Sequence, residues 1–274
     1  MKKAKAEVKE SFAYSRAAQK LFELAIANEF LLLGRAIQIV IASYAGIKRK
    51  NDQDEADHSI SVTWSLWCRG VHDEEELVKA LLHDLPESGK KSLNYLRKNF
   101  NDEVANDVDK LTRRNGEKGG LPDDVLEEAF KFITEYYHKM KKDWSCRRQL
   151  TANRKKLLKI LPFKYKFYVG RYFTRMAKSA NCIVIKNVDK CDVFKNMSHT
   201  IPVRKQKLQI IEYEAFLALR SKKIRQTRSE YRDLLFSCRN EIETLIENAI
   251  HAISRRNDVE ELNRELEKLR KILK

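Results

Sequence analysis

The sequence predicts an all-α protein, and three observations predict it. The 274 residues include only 8 Gly and 4 Pro, too few turn-formers for a fold built of many short strands. Long stretches rich in Leu, Ile, Ala, Glu and Lys run between them. Apolar positions recur at spacings of three and four, the period of a helix with one buried stripe. Strands are expected to be nearly absent. The length accommodates one sizeable domain and an extension.

Taken in order, the elements begin with a terminus that carries Lys2, Lys3 and Lys5 beside Glu7 and Glu10, without the apolar run of a signal peptide. The apolar stretch 30–45 is broken by Gly34, Arg35 and Gln38. It falls short of the roughly 18 uninterrupted residues that argue for a membrane span. In 74–85, Leu77, Val78, Ala80, Leu81 and Leu82 are apolar around most of a helical circumference, so a buried helix is expected, with His83 and Asp84 buried at its end and in need of partners. Pro86 disfavours the α conformation at Leu85, stops that helix, and leaves Glu87, Ser88 and Gly89 in a turn. The similar pair His72 and Asp73 runs into three glutamates and is read as an exposed helix start.

The turn-rich run 115–122 breaks the chain, after which Asp123 opens a helix carrying Val125, Leu126, Ala129, Phe130, Ile133 and Tyr137. From Lys139 the chain is basic, with Arg147, Arg148, Arg154, Lys155, Lys156 and Lys159 among many, and aromatic residues from Tyr136 to Tyr168 are interleaved. Such a mixture suits a nucleotide or a nucleic-acid backbone, with cations on phosphates and rings on bases, but it also suits amphipathic helices with lysine on the wet face. In 179–194 a stripe of Ala180, Ile183, Val184, Val188 and Cys191 predicts a helix with Asp189 half-buried at the stripe's edge. Leu208, Ile211, Tyr213, Phe216 and Leu217 mark another helix, and residues from Tyr231 to Ile250 a longer one. Asp258 with Glu261 three residues on resembles a capping box that starts a last helix. Its Val259, Leu262, Leu266, Leu269 and Leu273 form a short seam for packing on the body or for a homodimer.

The chemistry centres on His58, the adjacent His83 and Asp84, and Asp189, which offer two imidazoles and two carboxylates from three separated stretches. That donor set suits Mn²⁺, Fe²⁺ or Zn²⁺, and a site with open positions takes water and a phosphate oxygen. A metal-activated hydrolase is the leading expectation. The net charge of +16 implies anionic partners such as nucleotides, nucleic acid or an acidic protein. Five cysteines without a CxxC pair argue against a disulfide scaffold and for a reducing, cytoplasmic setting.

These residues lie within a longer pattern. Tyr44-Ala-Gly-Ile-Lys-Arg-Lys50, then His58, then Ala80-Leu-Leu-His-Asp-Leu-Pro-Glu87, then the run 100–112, then Ile185-Lys-Asn-Val-Asp-Lys190 resembles the hydrolase domain of RelA/SpoT proteins and the small alarmone hydrolases. The resemblance covers roughly residues 15 to 200, interrupted after Thr112. It implies an HD-domain helical bundle over 1–200 with an insertion at about 113–165, followed by a helical C-terminal extension over 201–274. It further implies Mn²⁺, or another divalent transition metal, on His58, His83, Asp84 and Asp189, and removal of the 3′ pyrophosphate of (p)ppGpp. Arg49 and Lys50 fall where the family places cations beside the substrate, with Tyr44 at the same edge, and Glu87 falls on the acidic residue that positions the attacking water.

The chain also departs from that pattern. Tyr44 stands where the family has His, Ile47 where it has Gln, Ser88 where an Asp follows the Glu, and Val193 where an Asn contacts substrate. The site residues expected to govern chemistry are therefore Glu87 and Ser88. The alternatives are hydrolysis of another nucleotide, such as a cyclic nucleotide or an NADPH-like compound, or a catalytically weak module that senses nucleotides or binds nucleic acid through the basic insertion.

Overall fold

In the computed structural model the described residues are 15–49, 53–114, 120–142, 150–197, 201–220 and 229–272. Their regular structure is helical, apart from one isolated bridge between Lys48 and Asp54. The chain divides into two compact units, Met1–Thr112 and Arg113–Lys274.

The first unit holds α1 (Arg16–Ala27), α2 (Leu31–Tyr44), α3 (Glu55–Cys68), α4 (Glu74–Leu82), α5 (Leu93–Asn99) and α6 (Asp102–Leu111). Side-chain caps fix several starts: Ser15, Asp73, Ser92 and Asn101 each accept a hydrogen bond from a backbone N–H three residues on. The cap at Asp73, with Glu74 to Glu76 in the first turn, is the exposed start expected of the His72-Asp73 pair. α4 packs against α2, α3 and α6, and residues 77–82 are all buried. Lys79 sits in that run at 1% exposure. Its ammonium reaches Glu103 Oε1 at 2.6 Å, Asp107 Oδ2 at 3.6 Å and Glu75 Oε2 at 3.8 Å. Burial alone would lower its pKa, and the three carboxylates raise it instead. The helix ends at Leu82, three residues earlier than expected, because His83 serves as its C-cap. Gly89, at φ 71°, completes the turns that follow.

The second unit holds α7 (Asp123–Lys142), α8 (Leu150–Ile160), α9 (Phe163–Met176), α10 (Ala180–Lys195), α11 (Val203–Arg220) and α12 (Ser229–Ile272). α11 contacts α7, α8 and α9, and α12 packs along α10. The compact units thus group the stretch expected as an insertion with the stretch expected as a C-terminal extension. Two charged networks sit inside the second unit. Arg154, expected on the wet face of a basic segment, is 3% exposed. Its guanidinium donates to Glu214 and to Glu243, while Tyr136 and Tyr137 donate to Glu214. In the other network Arg113 pairs with Glu212, and Lys190 lies 3.2 Å from the same carboxylate oxygen.

Two further expectations are corrected. No helix starts at Asp258; α12 runs unbroken through it, since neither Gly nor Pro interrupts 229–272. Its buried residues extend to Ile253, and Val259 of the expected seam is 57% exposed. The side chains of Leu262, Leu266 and Leu269, and the whole of Leu273, lie outside the described residues. Asp189 is 3% exposed rather than half-buried, because α10 is enclosed on nearly every side.

Candidate metal centre

The first unit brings three of the four expected ligands together. α3 presents His58 from its first turn, and α4 ends in His83 with Asp84 directly after it. The packing of α3 on α4 sets the two imidazoles side by side, with ring centroids 5.5 Å apart. One ligand atom from each of His58, His83 and Asp84 lies within 4.8 Å of the others. His58 Nε2 is 3.6 Å from Asp84 Oδ2, and His83 Nε2 is 3.1 Å from Asp84 Oδ1. Donor atoms sharing one transition-metal ion at about 2.1 Å stand roughly 3.0–3.4 Å apart, so small shifts bring the three onto one ion.

The tautomer of His83 fits that use. Its Nδ1 lies 2.6 Å from the carbonyl oxygen of Ala80, and a carbonyl can only accept, so Nδ1 carries the hydrogen. Nε2 is left to face the Asp84 carboxylate, an arrangement that a cation between them completes. Orientation of a ligating imidazole by a backbone carbonyl is the usual support for such a site. The imidazoles are buried, 6% and 2% exposed, whereas the Asp84 side chain is 34% exposed. The expected burial of Asp84 is thus only partial, and the cluster opens to solvent on its carboxylate side.

Tyr44 and Ser88 meet beside this cluster. Ser88 Oγ donates to the carbonyl of Leu85 at 3.0 Å, so the Tyr44 phenol is the donor in its 2.9 Å bond to Ser88 Oγ. Burial, the largest influence, pushes the Tyr44 pKa up to about 12. The Ser88 bond works against that rise, the charges of Asp84 and Glu55 reinforce it, and Arg49 opposes it. The phenol therefore stays protonated at neutral pH. Tyr44 also lines a cavity of about 190 Å³ with Ala18, Ile41, Gly46, Asp57 and Ile60.

Arg49 comes from the loop after α2. Gly46, at φ 73°, turns the chain where a side chain would be strained. The loop is then clamped by Arg49 N–H to Gln53 O at 2.8 Å and Glu55 N–H to Ile47 O at 2.9 Å. The Arg49 guanidinium rests 3.9 Å from Glu55 and is about a third exposed. Glu87 is half-buried in the turn after Pro86. Lys50 lies outside the described residues. Asp189 belongs to the second unit, where Lys186 Nζ lies 2.6 Å from its Oδ2.

Sequence reading missed the Tyr44–Ser88 contact. Both residues had been singled out as departures from one pattern, but no local periodicity ties positions 44 apart in the chain. No family model matches the chain, and neither a curated protein nor a solved structure does so.

Proposed function

We propose that the protein is a metal-dependent phosphohydrolase acting on a phosphorylated purine nucleotide, with (p)ppGpp as the first substrate to test. The observation that carries the reading is the convergence of His58, His83 and Asp84 with the His83 tautomer set for ligation. The order of the family-like stretches supplies the substrate class. When bound, a divalent ion such as Mn²⁺ supplies Lewis-acid activation of water and neutralises phosphate charge. The chain's own groups do the rest. Arg49 offers a guanidinium to phosphate oxygens, a charge-assisted and geometrically specific contact. Glu87 accepts a proton in the turn that follows the ligands. Tyr44, protonated and buried, holds Ser88 in place.

The Tyr44–Ser88 bond favours a second reading, a nucleotide-binding module with weak catalysis. Where the family pattern has a His and an Asp, this chain has two neutral hydroxyl groups bonded to each other. A serine hydroxyl is a poor base at neutral pH. The test is a screen of phosphorylated nucleotides against the Mn²⁺-reconstituted protein with product identification. Release of pyrophosphate from (p)ppGpp supports the first reading, and tight binding without turnover the second. An Asp84→Ala variant that retains as much Mn²⁺ as wild type overturns both, since each uses the same centre.

A further inference from the structure

The aromatic and basic stretch after residue 136 separates into two populations. Tyr136, Tyr137, Tyr165, Tyr172 and Phe173 are core side chains, 1% to 4% exposed. Phe163 and Phe167 are not. They are 79% and 47% exposed, with stacked rings whose centroids lie 6.1 Å apart at an interplanar angle of 25°. Arg171 continues the row, its guanidinium 5.5 Å from the centre of the Phe167 ring. Positions 163, 167, 171 and 174 recur at four, four and three residues, so they share one face of α9. All four are exposed, as is Lys164 beside Phe163. On α8, Lys155, Lys156 and Lys159 are exposed as well. Between Trp144 and Val188 the sequence contains no Asp or Glu.

A solvated lysine face explains the cations but not two large rings left in water. An anionic membrane surface is a poor match, because an interfacial helix buries a broad apolar stripe. Among the described residues this face carries no Leu, Ile or Val. A polyanion with flat apolar groups matches both features. Bases stack on exposed aromatic rings and on guanidinium planes, and phosphates follow surrounding cations without acidic side chains to repel them.

We propose that the exposed face of α9, formed by Phe163, Phe167 and Arg171 with Lys164, is a binding site for single-stranded nucleic acid. The exposed lysines of α8 add sequence-independent phosphate contacts. None of these residues belongs to the His58, His83 and Asp84 centre, so the proposal stands or falls without the hydrolase reading.

Fluorescence anisotropy with labelled mixed-sequence 20-mers of RNA and DNA, single-stranded and duplex, tests this across a salt series, with anionic vesicles as a control surface. Single strands should bind more tightly than duplex, and comparison of the RNA and DNA arms identifies the natural source. Phe163→Ala with Phe167→Ala should weaken single-strand binding by roughly tenfold or more while leaving the salt slope unchanged. Lys155, Lys156 and Lys159→Ser should instead flatten the slope. Both sets replace exposed side chains, and circular dichroism confirms that the variants remain folded. The proposal is overturned if the double Phe variant binds as wild type does, if duplex binds as well as single strands, or if only the vesicles bind.

Discussion

Replacement of Ser88 is the most informative change of a single residue. On the proposed hydrolase reading, Ser88→Asp restores the carboxylate that would handle water, and Tyr44 can donate to it as it now donates to Ser88. If the missing carboxylate limits turnover, (p)ppGpp hydrolysis should rise about tenfold or more, with Mn²⁺ affinity nearly unchanged. Equal rates in the two proteins would mean that Glu87 suffices. Tyr44→His combined with Ser88→Asp should differ from the sum of the single changes, because the two side chains touch. Arg49→Ala should lower kcat/KM by more than an exposed control such as Lys131→Ala, because a charge-assisted contact is lost. Equal kinetics would remove Arg49 from the substrate site. The candidate ligands His83 and Asp84 were legible at this scale because they follow a helix whose apolar run announces burial. Lys79 was not: a lysine inside that run looks like an interruption until α6 brings Glu103 and Asp107 to it.

Helices were legible where one stripe faced a core, as in α7, where Leu126, Ala129, Phe130, Ile133 and Tyr137 of the expected set are buried and Val125 is half-buried. They were less legible in α10, because a helix enclosed on nearly every side shows no clean stripe, and Asp189 was placed at an edge that does not exist. Arg154 shows the same limit, since its carboxylate partners lie 60 and 89 residues away in the chain. Glu214 joins α7, α8 and α11 through Tyr136, Tyr137 and Arg154. Glu214→Ala leaves Arg154 a buried cation with one partner fewer and should destabilise the second unit by roughly 3–5 kcal/mol, measured by chemical denaturation. A loss under about 1 kcal/mol would mean that water reaches the network. α12 offers a second test. At 1.5 Å per residue its 44 residues span roughly 66 Å, yet its described burial ends at Ile253. Amide hydrogen exchange should therefore be slow up to Ile253 and much faster beyond it, because an isolated helical segment is marginal without packing. Uniform protection would show that the far end is covered.

At the scale of the whole chain, composition announced the all-helical class, while the division after Thr112 was hidden by a pattern that continues across it. No helix among the described residues is long and apolar enough to cross a membrane. Acid stability should depend on the second unit's buried charges. Burial alone would raise the pKa of Glu212, but Arg113, Lys190 and Lys186 outweigh it and bring it down from 4.5 to about 2. Its contribution is therefore fully present above about pH 4.5 and is lost as pH falls towards 2. Urea midpoints measured across that window should fall more steeply for wild type than for Glu212→Gln, which has no proton to take up there. Parallel curves would assign the acid sensitivity to the growing net charge alone.

The buried lysines also equip the chain with internal reporters of its own folding. Most lysines among the described residues are exposed or half-buried, but Lys79 is 1% exposed in the first unit, and Lys190 and Lys207 are 4% and 5% exposed in the second. An amine enclosed in this way reacts slowly until the fold around it opens. Mass spectrometry of brief acylation along a denaturant series would then follow the two units separately, through one lysine in the first and two in the second.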